Sequence, residues 1–540
     1  MSSESIAREV RRRRTFAIIS HPDAGKSTMT EALALHARMI SEAGAVHGKG
    51  GRRATVSDWM EMEKARGISV SSTALQFNYT PTGADGDAPE PDEPNVINLV
   101  DTPGHSDFSE DTYRVLTAVD AAVMLIDAAK GLEPQTLKLF QVCRHRGIPV
   151  ITVINKWDRP GQSPLELIDE ITDRIGLIPT PLYVPVGIAG DYRGLLDRRT
   201  GQFIKFTRTA GGSKIAPEEI LSPAAAHDAE GDAWTAAVEE SELLGEMGQD
   251  HDQEMFLAGQ TSPMIFTSAM LNFGVRQLLE ALVEFAPPPA GRTGIDGAER
   301  GVTDPFSAVV FKVQAGMDSS HRDRLAYMRI VSGEFERGMV VTHAQTGKPF
   351  ATKYAQAVFG RDRSTVDTAY PGDVVGLVNA MALAPGDTLY IDPKVQYPPI
   401  PSFAPEHFSS LRVTTADKYK QFRKAIDQLD AEGVVQVLRN ELRGDASPVL
   451  AAVGPMQFEV VTARMKAEFN VDTIIEPLGY SLARRTDEAS APELARQRGV
   501  EVFTRSDGAI LALFSDKWRL QFIEKEFPAL TLAPLVAAAD

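Results

Sequence analysis

The sequence predicts a multidomain α/β chain: a doubly wound, mostly parallel sheet comes first, then a β-barrel domain, then an α+β domain. Three observations carry this. Short β-rich runs alternate with helical patterns through the N-terminal part of the chain, as in a parallel sheet wrapped by helices. From Pro305 to about Pro393, short strands (FSAVVFKVQA, RLAYMRIVSG, GMVVTHA, DVVGLVN) follow one another across Gly-containing turns, the pattern of a small barrel. At 540 residues the chain exceeds what one core usually fills, so three or four domains are expected.

Taken in order, Thr15 to Ser20 reads as a strand, Ser27 to Ile40 as a helix and Val96 to Asp101 as a strand. Ala121 to Asp127 reads as a buried strand, Pro134 to Arg146 as a helix and Val150 to Asn155 as a further strand. The tract 81–94, PTGADGDAPEPDEP, is acidic and without apolar periodicity, and is expected as a flexible loop between two strands. Across about 207–262 the pattern turns helical and acidic, an insertion late in the first domain; strand character returns at Met264 to Thr267, before the amphipathic segment Gly274 to Phe285. The Pro- and Gly-rich stretch that follows is the best linker in the chain. The expected units are therefore residues 1–286, a linker at 287–304, a barrel at 305–394 and an α+β C-terminal domain at 403–540. There the helix Lys418 to Asp430 and the strand Leu450 to Val453 are expected.

Composition excludes several classes. With 43% hydrophobic and 24% charged residues the chain has ample material for cores and is not disordered by default. The single cysteine, Cys143, allows no intrachain disulfide framework and fits a reducing compartment, with a small buried residue on a helix as its expected role. No run approaches the roughly 18 apolar residues of a membrane span, and charges at Glu4, Arg8 and Glu9 interrupt any secretory leader, so a cytoplasmic chain without membrane partners is expected. A net charge of −17 argues against indiscriminate nucleic-acid binding, DNA included. The run Arg11 to Arg14 is read as a solvated lead-in to the first strand and given no role.

SHPDAGKST, Ser20 to Thr28, follows the first strand and opens the first helix, the context of a phosphate-binding loop. In it Ser20, His21, Pro22, Asp23, Ala24, Gly25 and Thr28 line the phosphates, Lys26 neutralises the β and γ oxygens, and the Ser27 hydroxyl can ligate Mg²⁺. The place usually held by Gly is Ser20. DTPGH, with Asp101, Thr102, Pro103, Gly104 and His105, follows another strand; Asp101 can hold Mg²⁺ through water, and the Gly104 N–H can reach a γ-phosphate. NKWD ends the strand VITVIN. Its Asp158 can accept two hydrogen bonds from the N1–H and N2–H₂ edge of guanine, which adenine lacks, while Lys156 packs along the base and Asn155 ties loops together. In TSAM, Ser268 and Ala269 can close the site by a backbone N–H to the guanine O6. These signals, in order and in register, predict a P-loop GTPase domain binding GTP or GDP with Mg²⁺.

The same residues resemble those of the translational GTPases, the family of elongation factors Tu and G, and the resemblance covers the whole chain. It implies that His105 is catalytic, positioning the attacking water, and that Asp23 lies near the γ-phosphate with a catalytic part. ARGISV, Ala65 to Val70, is similar to the family's RGIT switch, which implies Ser69 as a further ligand of Mg²⁺ and γ-phosphate; Pro22 and Ile68 would flank His105. KVQAGMDSSHRDRLAYMRIVSG, Lys312 to Gly333, and AVGPMQFEVVTARMKAEFNV, Ala452 to Val471, resemble the branch of the family that acts at termination. The resemblance implies a ribosome-dependent GTPase whose partners are the ribosome, with its RNA and proteins, and the class-1 peptide chain release factors, working as a monomer. Gly211 and Gly212 are followed by Ser213, so the GGQ tripeptide of factors that cleave peptidyl-tRNA is absent. His105 separates this reading from a module that only holds GTP, although a lone histidine can also be a satisfied core residue. Length separates it from an elongation factor G-like translocase.

Overall fold

The computed structural model describes residues 2–39, 74–81, 93–103, 107, 109–209, 214–315, 324–359, 362–400, 403–440, 442–444 and 447–535. The N-terminal strands are β1 (Arg13–Ser20), β2 (Ala74–Tyr79), β3 (Asn95–Asp101), β4 (Ala121–Asp127), β5 (Val150–Asn155) and β6 (Ile178–Pro181). Four short strands follow, β7 (Tyr183–Val186), β8 (Gly194–Asp197), β9 (Phe203–Phe206) and β10 (Glu218–Leu221), and then β11 (Thr261–Phe266). The main sheet has the order β2-β3-β1-β4-β5-β11-β6. Only β2 runs antiparallel within it. Every residue of β4 and β5 is buried, as central parallel strands require, whereas the edge strand β2 alternates between core and solvent.

The helices of this domain are α1 (Ser3–Arg11), α2 (Lys26–His36), α3 (Ser109–Leu116), α4 (Pro134–His145) and α5 (Pro164–Ile175), then α6 (Pro223–Glu230), α7 (Asp232–Glu246), α8 (Gln253–Leu257) and α9 (Val275–Phe285). The chain writes clear boundaries for α5: a Ser163/Glu166 capping box starts it and Gly176, at φ +61°, ends it. Helix α2 stops at His36, short of the expected Ile40, because Arg38 turns left-handed at φ +57° and Met39 N–H bonds back to the Ala34 carbonyl. Two expectations change in the insertion. Helix begins only at Pro223, and the preceding stretch instead completes an antiparallel sheet, β10-β9-β8-β7, whose four-residue strands are too short to show a period-2 pattern. The tract 81–94 does connect β2 to β3, but most of it lies outside the described residues. Cys143 is buried on α4, where burial pushes its thiol up to about 12.

Near the end of α2, burial and then the nearby Arg276 guanidinium push the His36 imidazole down to about 4. Its unfolded value is about 6.5, so between these limits the unfolded chain binds the extra proton and stability falls as pH drops. Urea titrations from pH 7 to pH 4 are expected to show a loss of up to about 3 kcal/mol from this residue, present in the parent and missing from His36→Asn. Parallel curves for the two proteins would remove His36 as the cause.

The barrel centres on the long antiparallel pair Ser307–Ala315 and Arg324–Ser332, in an eight-stranded sheet around Val310, Met328, Ile330, Phe335, Leu377 and Leu389. In the third region α10 (Tyr419–Glu432) and α11 (Met456–Phe469) cover one face of a second eight-stranded sheet through Phe422, Ile426, Leu429, Val461 and Met465, packed on Leu411, Val437 and Leu450. Both domains are fastened to the first. Arg329, 1% exposed, bonds to the Ala118 carbonyl and to both oxygens of Asp120 at 2.7 Å, and Tyr113 meets Phe403 edge-on at 5.2 Å.

Here the reading of Arg11 to Arg14 as a solvated lead-in is corrected. Arg13 is buried, and its Nε donates at 2.9 Å to Asp373 of the barrel, which also accepts from Gln76 at 2.9 Å and from Asn98 at 3.2 Å. Arg14 reaches the Val283 carbonyl. The run is a structural tie, since a buried guanidinium needs such partners to offset its desolvation.

Candidate nucleotide site

The phosphate loop joins the buried end of β1 at Ser20 to the first turn of α2. Asp23 (φ +69°) and Gly25 (φ +98°) are left-handed, and a Cβ on Gly25 would lie 2.5 Å from Asn155 Nδ2, so glycine is required there by conformation and by space. No side chain caps the start of α2, which leaves its first-turn N–H groups directed at the loop, the arrangement that receives an anion. Lys26 is buried, and its ammonium donates to Asp101 Oδ1 at 3.1 Å and to the Thr102 carbonyl. The pair brings the first loop and the end of β3 together. Thr102 Oγ1 fixes that strand end by donating to the Ile18 carbonyl at 2.6 Å. Ser27 and Thr28 lie partly exposed at the mouth, Asp23 is exposed at the loop tip, and His21 contacts Glu133 at 3.1 Å beside the partly exposed Pro22.

The base-side residues converge from the ends of three strands. Asn155 Nδ2 donates to the Ala24 carbonyl at 2.9 Å, while its Oδ1 accepts from Ala269 N–H at 3.0 Å and Thr267 Oγ1 at 3.2 Å. One amide thus ties the phosphate loop to the TSAM segment. Trp157, fully buried, anchors the turn edge-on against Phe266 at 4.8 Å, so the next residue, Asp158, points out of the core. Asp158 Oδ1 accepts from Ser268 Oγ at 2.5 Å. Lys156, at φ +65°, bridges Asp127 Oδ2 at 2.7 Å and the Asp23 carbonyl. Burial alone would raise the Asp127 carboxyl, but the Lys156 and Ala129 hydrogen bonds and the charges of Lys156 and Lys130 outweigh it and hold the group below the usual carboxylate range.

The structure therefore assembles Ser20, His21, Pro22, Asp23, Ala24, Gly25, Lys26, Ser27, Thr28, Asp101, Thr102, Pro103, Asn155, Lys156, Asp158, Ser268 and Ala269 at one edge of the sheet. Ser69, Gly104 and His105 lie outside the described residues. Asp127 and Thr267 escaped the sequence reading. Their only signal is position, a polar residue at the carboxyl end of a buried strand, where α/β sheets place their ligands.

Beyond Pro103 the chain makes contact with the third domain. Asp107 Oδ2 accepts from the Met456 N–H at 2.7 Å, at the start of α11, and a Cβ on Gly454 would lie 2.1 Å from Asp107 Cγ. On α3, Arg114 Nη1 donates to the Glu432 carbonyl at 3.2 Å and the guanidinium covers Gly433.

A phosphate loop, an NKxD strand end and a barrel docked on the first domain define a P-loop GTPase of the translational class. Residues 11–288 match the elongation factor Tu GTP binding domain, residues 305–392 elongation factor G domain 2, and residues 397–524 the class II release factor RF3 C-terminal domain. Peptide chain release factor 3 of Microcystis aeruginosa is 46% identical, across 96% of this chain and 94% of its own. That of Gloeobacter violaceus is 44% identical, across 99% and 100%. A solved structure from Thermus thermophilus shares the fold at a TM-score of 0.67 and 21% identity, over 88% of this chain and 68% of that one. The chain belongs to the peptide chain release factor 3 family.

Proposed function

We propose that the protein uses GTP on the ribosome to promote dissociation of class-1 peptide chain release factors after peptide release, and that it does not itself hydrolyse peptidyl-tRNA. The observation that carries this is the match of residues 397–524, outside the nucleotide domain, to the class II release factor C-terminal domain. In this reading the first-turn N–H groups of α2 and Lys26 hold the β and γ phosphates, Asp158 reads the guanine edge, and His105 positions water. Ser27 and Asp101 offer a hydroxyl and a carboxylate, hard oxygen donors suited to Mg²⁺, with Ser69 as the third. Among the described residues no group of three or more His, Cys, Asp or Glu forms a metal cage, and Mg²⁺ is characteristically held by only one or two carboxylates together with substrate phosphates. When bound it would neutralise charge developing on those phosphates.

The coupling route runs through Asp107 and Arg114. A change between GTP and GDP at the segment after Asp101 would move the group that holds the α11 start, and so bias the placement of the third domain. No helix among the described residues is long and apolar enough to cross a membrane, and the reading requires none.

The test follows a labelled class-1 factor on stop-codon ribosome complexes. Displacement is expected with GTP and with a non-hydrolysable analogue but not with GDP, and the analogue should leave this protein trapped. No displacement in any state, together with GTP-dependent movement of tRNA, would replace this reading with translocation. Cleavage of peptidyl-tRNA by the protein alone would overturn its second half.

A further inference from the structure

Helix α10 carries an exposed basic face that no acid among the described residues pairs with. Phe422, Ala425, Ile426 and Leu429 are buried against the third-domain sheet, while Lys420, Arg423 and Lys424 face outward at i, i+3 and i+4. The helix's own acids are engaged elsewhere, Asp427 with Arg439 at 2.7 Å, Asp430 accepting from the Val437 N–H at 2.9 Å, and Glu432 with Arg464 at 2.7 Å. That leaves Lys420, Arg423 and Lys424 without an ion-pair partner among the described residues.

The placement works against the helix. Like charges at these spacings repel, and cations in the N-terminal half oppose the macrodipole, with no acid in the first turn to relieve them. Physical chemistry would put these cations at the other end. Their presence here, in a chain of net charge −17, calls for an anionic partner.

The face also borders a groove. Lys420, Arg423, Lys424, Gln428 and the Arg439-paired Asp427 of α10, with Arg324 and the exposed Met381 of the barrel, line a recess of about 420 Å³ between the two domains. On the barrel side Arg324 is held by hydrogen bonds to the Met381 and Leu383 carbonyls, at 3.3 and 2.9 Å. We propose that this face, Lys420, Arg423 and Lys424 with the groove edge at Arg324, docks on the phosphate backbone of structured RNA. The assignment deepens the ribosomal reading and rests on it for the RNA met in the cell. RNA is favoured over an acidic protein because Met381 is the single apolar residue among the described residues that line the recess, and Lys420, Arg423 and Lys424 are exposed, which suits phosphate contact more than a packed protein interface.

The test compares the full-length protein with Lys420→Gln/Arg423→Gln/Lys424→Gln and with a charge-matched control, Arg496→Gln/Arg498→Gln/Lys525→Gln. Binding to an A-form RNA duplex is followed against salt, and co-sedimentation with ribosomes is measured with a non-hydrolysable GTP analogue. The α10 variant is expected to bind the duplex with a log K against log salt slope shallower by about 2 to 3, at roughly 0.9 per lost phosphate contact, and about tenfold or more weakly at low salt. Its ribosome affinity should fall in parallel, with GDP binding unchanged because the nucleotide residues are elsewhere. An unchanged slope and affinity, or an equal loss in the control, would overturn the proposal. So would lost ribosome binding with retained duplex binding, which assigns the face to an acidic protein. Duplex binding of the expected slope in a protein that never binds ribosomes would support the face and remove the ribosomal reading instead.

Discussion

Asp158→Asn is expected to lower affinity for GDP and GTP by about 10² to 10⁴ and to admit xanthine nucleotides. The carboxylate offers two acceptors to the N1–H and N2–H₂ donors of guanine, and an amide offers one acceptor and one donor. The donor then faces the guanine amine, leaving two buried donors opposed, whereas the C2 carbonyl of xanthine accepts from it. The local structure should survive the change. Ser268 Oγ donates to Asp158 Oδ1 at 2.5 Å, an oxygen that asparagine retains, and the turn is held independently by buried Trp157 and by the Asn155 bonds to Ala24 and Ala269. Competition against labelled GDP measures the effect. The parent should reject ATP, and the variant should take xanthosine diphosphate in preference to GDP. Equal competition by ATP and GTP in the parent would defeat the guanine assignment itself.

How much of this could be read from sequence follows from the range of the interactions. The phosphate loop, the DTPGH strand end and NKWD are local: each follows directly on the strand that leads into it, and β4 and β5 fall where their apolar runs begin and end. What the sequence hid was remote. Lys156 and Asp127 are 29 positions apart, Thr267 and Asn155 are 112 apart, and Arg13 meets Asp373 across 360. No periodicity encodes such pairs, so nothing local in the sequence marks Asp127 and Thr267 as partners or Arg13 as buried. The small sheet β7 to β10 was lost for the opposite reason: its strands are too short for a pattern to repeat. Of α10 the sequence shows the helix, expected at Lys418 to Asp430; its basic face emerges only in the folded chain, where the neighbouring acids are paired with other partners.

His105→Ala is expected to reduce ribosome-stimulated GTP hydrolysis by about 10² to 10⁴ while leaving the dissociation constants for GTP and GDP within about twofold. The first half follows from the role proposed for the imidazole, which acts on water and therefore only in the transition state. The second half follows from the contacts that hold the nucleotide residues. Lys26 is fixed by Asp101 and the Thr102 carbonyl, Thr102 by Ile18, Asn155 by Ala24 and Ala269, and Asp158 by Ser268. None of these runs through residue 105. On its far side the chain is caught again by Asp107 at the Met456 N–H, so shortening one side chain between two anchored points should leave the frame in place. Binding is read by titrating a fluorescent guanine nucleotide, and the chemical step by single-turnover hydrolysis with and without ribosomes. The variant should still displace a class-1 factor when loaded with GTP, since displacement needs the γ-phosphate and not its cleavage, and should then stay bound as the parent does with the non-hydrolysable analogue. A loss of nucleotide affinity as large as the loss of turnover would make His105 a structural residue, and the protein would then need another group to position its water.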